Sequence, residues 1–90
     1  MERPVIAEVW QLAFGESLNG KRPSGPNQVR VVCPFHADHS PSCDVSLTKD
    51  AFWCRSCGAS GGYLDVIIKA GYVTSRREAR DWLERRGVRL

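Results

Sequence analysis

The sequence predicts a small α+β domain, a short antiparallel sheet with helices around it. Three observations point that way. Residues 29–33 (VRVVC), 43–47 (CDVSL) and 51–54 (AFWC) are short and apolar or alternating, and the first is β-branched, as strands are. Residues 4–14, 63–70 and 75–86 instead carry apolar side chains at helical spacing. All four cysteines and both histidines fall between Cys33 and Cys57, within the strand-bearing segment.

The elements follow in order. Pro4 suits a first helical position, Val5, Ile6, Val9, Leu12 and Ala13 recur at helical spacing, and Gly15 ends the pattern. Residues 19–27 (NGKRPSGPN) read as a loop, punctuated by Gly and Pro. After strand 29–33, residues 36–41 read as a turn-rich knuckle. Residues 43–47 place Cys43, Val45 and Leu47 on one face and Asp44 and Ser46 on the other. Thr48, Lys49 and Asp50 form a tight connection to strand 51–54, which makes a hairpin. Residues 58–62 (GASGG) read as flexible backbone leading into a helix at 63–70, with Leu64, Ile67 and Ile68 on one stripe. Ser75 and Glu78 form the S-x-x-E signature of a helix start, Ala79, Trp82 and Leu83 face inward, and Gly87 falls at the C-cap. Asp65, near the start of its helix, suits the helix dipole.

Ninety residues suit one domain, 1–90, with a core at 28–70, and an apolar content of 42% does not suggest disorder. A chain this short has a thin core and gains from a staple. No run of apolar residues is long enough for a membrane span, and the N-terminus lacks a secretory pattern, so a cytoplasmic location without membrane partners is expected. In that compartment four cysteines point to metal rather than disulfides. The net charge is +3, and residues 75–90 hold six Arg against three acids. Such an excess suits nucleic acid only mildly, because a solvated helix face with i,i+3 and i,i+4 ion pairs explains it equally well.

Cys33-x-x-His36 and Cys54-x-x-Cys57 are two ligand pairs, seventeen residues apart. A two-residue spacer lets a knuckle aim two side chains at one ion, and a hairpin brings the second pair alongside. Three thiolates and one imidazole form a closed tetrahedral set for a structural zinc, with no open position for water. Two candidates are left over. Cys43, on the strand face with Val45 and Leu47, reads as a small buried hydrophobe, with an alternative ligand as the lesser option. His39, three residues past His36, reads as exposed or backbone-bonded, with competition for the metal as the lesser option. A redox dithiol at Cys54 and Cys57 would need a βαβ context and would leave Cys33 and His36 unexplained.

Cys33-Pro34-Phe35-His36, Ser40-Pro41-Ser42, Cys54-x-x-Cys57-Gly58-Ala59 and Asp65 together resemble the N-terminal zinc-binding domain of bacterial and phage DNA primases. The likeness covers residues 28–70 well and the last helix loosely. It implies a zinc ribbon, an antiparallel sheet with one structural zinc at its end and helices around it, with Cys33, His36, Cys54 and Cys57 as ligands. It places Cys43 where the family has Phe, a core position, and does not place His39 at a ligand position. It implies a module that contacts single-stranded DNA template and supports primer initiation, beside a separate polymerase domain whose acidic residues hold Mg²⁺. No such acidic cluster is present here, so the chain is not expected to be an enzyme by itself. A primase polymerase domain or a helicase is the expected protein partner.

Single-strand binding needs cations for phosphates and aromatic faces for bases. The candidates are Arg30, Lys49, Trp53 and Arg55; Lys49 falls where the family pattern often has Lys. Phe52 and Trp53 are adjacent in a strand and point to opposite faces, so Phe52, at the family's aromatic position, is expected to pack and Trp53 to be open to a base. For Trp53 the competing reading is packing against the first helix, and for the three cations it is plain solvation. An alternative function is a zinc-ribbon adaptor that docks to a polymerase, a helicase or another protein without touching DNA. An exposed apolar patch, such as Trp10 and Phe14, would favour it.

Overall fold

Alternating apolar residues across neighbouring segments zip into a meander in the computed structural model, which describes residues 5–18, 20–35 and 41–88. Pro4, Asn19, His36, His39 and Ser40, all named by the sequence reading, lie outside the described residues. Five strands, β1 (Arg22–Gly25), β2 (Gln28–Val32), β3 (Pro41–Ser46), β4 (Ala51–Cys54) and β5 (Ser60–Gly62), pair antiparallel in sequence order. Three helices, α1 (Val5–Phe14), α2 (Tyr63–Lys69) and α3 (Arg76–Arg85), complete the fold, with α2 packed against both of the others.

Two of the five strands correct the sequence reading. β1 lies within 19–27, expected as a loop, and β5 lies within 58–62, expected as flexible backbone. Both are edges of the sheet. An edge strand tolerates Pro23, because one side of its backbone has no strand partner to satisfy. The glycines of β5 have a more specific role. Gly61 sits at φ +154°, and a Cβ there would fall 2.5 Å from the Cβ of Asp65. The bare backbone lets the Asp65 carboxylate reach back and accept from the Gly62 N–H at 2.9 Å, closing the first turn of α2. Asp65 therefore does more than suit the dipole, and its outer side also meets Arg76 of α3 at 3.2 Å.

The inner face of the sheet carries the core. Val29, Val31, Cys43, Val45 and Phe52 are all buried there, with Ile6, Val9, Trp10 and Ala13 of α1, Val66 and Ile67 of α2, and Ala79 and Leu83 of α3. The buried stripe of α1 is thus 6-9-10-13, a true i, i+3, i+4, i+7 set. Leu12, expected on that stripe, is rotated off it and remains 40% exposed. Trp10 and Phe14, suggested as a surface patch, are instead packed: their rings meet edge-on at 5.0 Å, and Trp10 is fully buried.

Three helix ends are specified locally or by the hairpin. The Ile6 N–H in the first turn of α1 donates to Asp50 Oδ1 at 3.0 Å, so a residue of the β3–β4 turn caps a helix 44 positions away. Asp50 itself holds a left-handed φ of 51°. Ser75 accepts from the Glu78 N–H at 3.2 Å, as expected, while the Glu78 carboxylate accepts from the Thr74 hydroxyl at 2.9 Å. At the other end of α3, Gly87 has φ +82°, its N–H donates to the Glu84 carbonyl and the Val88 N–H donates to the Leu83 carbonyl. That is a Schellman ending, with Val88 and Leu83 both buried.

Candidate metal centre and the adjoining sheet surface

Cys33 follows β2, Cys54 ends β4, and Cys57 closes the turn beyond it. Their three Sγ atoms lie within 4.8 Å of one another. The Cys33 and Cys57 sulfurs are 3.8 Å apart. Sulfurs at the corners of a zinc tetrahedron with bonds of about 2.3 Å stand about 3.8 Å apart, so the cluster fits the ion. Cys33 and Cys54 are buried and Cys57 is exposed. Cys43 pairs in register with Cys54 but is outside the cluster and fully buried in the core, as its strand position predicts. His36, the fourth ligand expected from the sequence, is outside the described residues.

The surroundings of each sulfur differ. Burial pushes the Cys54 thiol up, but the Ser42 hydroxyl at 3.4 Å, the Cys57 and Ser56 backbone N–H groups and the Cys33 thiol outweigh it and bring it down to about 6. Cys33 is pushed up to about 12, by burial first and then by the sulfurs of Cys54 and Cys57, against a lowering bond from the Phe35 backbone. Burial also pushes Cys43 up, and the neighbouring sulfurs of Cys33 and Cys54 add to it. Cys54 is therefore the more acidic of the two thiols, and binding of a cation would displace the proton from Cys33. The knuckle is tied to the core by Phe35. Its ring lies 5.1 Å from Phe52, 5.7 Å from Phe14 and 6.1 Å from Trp10.

The outer face of the sheet carries a second constellation. One cross-strand row runs through all five strands, Arg22–Arg30–Asp44–Trp53–Ser60, by register pairing. Asp44 at its centre is fully buried although it faces away from the core. Arg30 Nε reaches its Oδ1 at 2.9 Å and Arg55 Nε lies 3.3 Å from its Oδ2. The second contact is an ion pair without hydrogen-bond alignment, so Oδ2 has charge compensation but no hydrogen bond. Burial raises the Asp44 carboxyl, but the Arg30 hydrogen bond, the Ser24 hydroxyl and the charges of Arg30 and Arg55 bring it below the usual range.

The residues expected to meet nucleic acid are thus partly gathered. Arg30, Trp53 and Arg55 surround Asp44 through register or ion pairing, with the Arg55 side chain 63% exposed. Trp53 is half-buried on the face opposite Phe52, which turns to α1, so the reading that packs Trp53 on that helix fails. Lys49 does not join them: it is exposed in the turn at the far end of the hairpin from Cys54. Sequence reading missed Arg22, hidden in an unrecognised edge strand, and it missed that Asp44 would be buried. The only signal for Asp44 was a charge amid apolar neighbours on the polar side of an alternating strand. On α3, Arg76 pairs with Asp65 and Arg80 lies 3.8 Å from Glu84, while Arg86, at its C-cap, lies 3.6 Å over the Trp82 ring. No helix among the described residues is long and apolar enough to cross a membrane.

Comparison with known proteins matches residues 16–88 to the family described as CHC2 zinc finger. The DNA primase of Mycoplasma genitalium is 31% identical over 64 residues, 71% of this chain and 10% of that protein. The DNA primase of Synechococcus elongatus is 45% identical over 40 residues, 44% of this chain and 6% of that protein. The chain therefore spans a tenth or less of the length of these curated relatives. A crystal structure of the Aquifex aeolicus primase, with its zinc-binding and RNA polymerase domains, superposes with a TM-score of 0.65 at 27% identity. The match covers all of this chain and 23% of that one. The ribbon fold and one structural zinc at the cysteine cluster follow from these matches together with the sulfur geometry.

Proposed function

Since the chain belongs to the CHC2 zinc finger family of DNA primases, we propose that it is the template-reading module of a primase, binding single-stranded DNA and supporting primer initiation. The observation that carries this reading is the outer sheet face next to the metal, where Arg22, Arg30, Trp53 and Arg55 combine charge with an aromatic ring. Cations track phosphates and the ring stacks a base without choosing a sequence. Lys49, apart from these at the far end of the hairpin, would offer a separate contact to a longer strand. His36 completes the zinc set with Cys33, Cys54 and Cys57. These residues would hold a zinc ion that, when bound, would cross-link the ends of β2 and β4.

In this reading the chain is not an enzyme alone and works with a polymerase domain carried elsewhere. The Aquifex primase offers the parallel, since its structure holds a zinc-binding domain and an RNA polymerase domain. The test is fluorescence anisotropy of zinc-loaded protein with labelled single-stranded and duplex oligonucleotides at two salt concentrations. Preference for single strands that weakens with salt supports the reading, and the salt slope counts the phosphates engaged. Trp53→Ala should weaken binding by roughly 1–3 kcal/mol, the usual worth of one stacked base. Equal affinity for duplex, or none for either, refutes it.

A second reading, an adaptor docking to a polymerase or helicase, keeps one observation in its favour. An open groove of about 550 Å³ runs between α1 and the end of α3, lined by Leu12, Leu47 and Val88 among polar groups. Partner binding that is lost on Leu12→Glu, with no oligonucleotide binding, would select that reading.

A further inference from the structure

We infer that Asp44 is a positioning residue that holds Arg30 and Arg55 as one phosphate-binding fork for the backbone of single-stranded nucleic acid. This rests on the template-binding reading above and says which groups of that face meet phosphate and what arranges them. A fully buried carboxylate in the central strand is costly unless it is compensated. Here the two compensating cations come from opposite sides, Arg30 from β2 and Arg55 from beyond β4. Both approach through Nε, one at each carboxylate oxygen. A guanidinium has five N–H donors. Among the described residues, no hydrogen bond engages the two Nη groups of either arginine, four donors per side chain.

The arrangement orders two side chains that would otherwise lose much rotamer freedom on binding. The Arg30 guanidinium, hydrogen-bonded at Nε, presents its planar Nη edge to a phosphate in bidentate fashion, and the ion pair with Asp44 draws the Arg55 guanidinium alongside it. Trp53, directly across the strand pair from Asp44, places an aromatic surface beside the fork. The trio keeps a net positive charge, and Arg22 next to Arg30 adds to it.

Simple charge counting predicts the opposite of this inference. Asp44→Asn removes a negative charge from a surface that binds a polyanion, so bulk electrostatics alone would tighten binding. The fork predicts that Asp44→Asn weakens binding to a labelled oligo-dT by about tenfold at fixed salt, the worth of losing ordered charge-assisted hydrogen bonds. Zinc content and circular dichroism are measured on the same sample. Arg55→Lys keeps both the charge and, at a mostly exposed side chain, the fold; the loss of the planar fork should cost about threefold or more. It decides the matter if Asp44→Asn does not fold. Wild-type binding with both folded variants weakened supports the fork. Wild-type binding with Asp44→Asn equal or tighter, or with Arg55→Lys unchanged, overturns the fork alone. Wild-type protein without affinity for the single strand overturns the template reading, and the fork with it.

Discussion

Cys54→Ser should unfold this protein at neutral pH. Its sulfur belongs to the metal cluster at the end of β4 and lies 3.4 Å from the Ser42 hydroxyl. A 90-residue domain is stable by roughly 5–14 kcal/mol, taking about 0.05–0.15 kcal/mol per residue. A structural zinc in a small module contributes on the order of 10–16 kcal/mol at pH 7. The ion's share thus matches or exceeds the whole margin, and a lost ligand removes most of it. The coupling has a visible route, because Phe35 in the first knuckle packs on Phe52, Phe14 and Trp10. Loosening the knuckle therefore loosens the aromatic core. The assay is far-UV circular dichroism and thermal melting, with zinc counted by elemental analysis, for wild type, chelated wild type, Cys54→Ser and Cys43→Ala. The last variant removes a buried sulfur outside the cluster, so it should keep one zinc and lose only about 1–3 kcal/mol of packing. If chelation strips the metal and leaves the spectrum and melting point unchanged, the reasoning is refuted.

Further predictions concern the parts around the site. Gly61→Ala should lower stability by about 2 kcal/mol or more, since it combines a strained φ with a Cβ driven into Asp65; a melting point within about one degree of wild type would contradict this. Asp50→Ala should cost roughly 1 kcal/mol by uncapping α1, read as a lower urea midpoint with an unchanged slope. Zinc affinity should fall by about tenfold or more per pH unit between pH 8 and 6, because the Cys33 proton must be displaced throughout, and more steeply below 6. Above about 6 Cys54 is already a thiolate and only the higher-pKa groups must release protons; below it Cys54 must be deprotonated as well. Competition titrations with a chelating dye at pH 5, 5.5, 6.5 and 7.5 check this, and a flat profile or a constant slope counts against it.

Much of this was legible in the sequence because the decisive signals were local. The Cys54-x-x-Cys57 pair, the opposed faces of Phe52 and Trp53, the Ser75 cap and the Gly87 stop each depend on residues a few positions apart. What stayed hidden depends on partners far along the chain. RPSG becomes a strand only because β2 offers it an edge, and SGG only because β4 does. Leu12 and Trp10 compete for the inner face of α1, and the aromatic cluster around Phe35 decides for Trp10. Asp44 looked like an ordinary solvent-facing strand residue, because the arginines that bury it come from 14 positions before and 11 after.

The meander has a kinetic corollary. Every strand hydrogen-bonds only to its neighbours in sequence, so the sheet assembles by closing short loops, each at small entropic cost. α1 is different: its Ile6 amide waits for an acceptor 44 residues downstream, in a turn that exists only once the hairpin has formed. These contacts predict that the ribbon assembles first and the helix docks after. Substitutions at the β3–β4 pairing should then slow refolding, whereas those at Trp10 or Asp50 should chiefly hasten unfolding. Until α1 docks, Phe35 and Phe52 lack their Trp10 cover, and the nascent chain passes through a stage in which its aromatic interior is open to water.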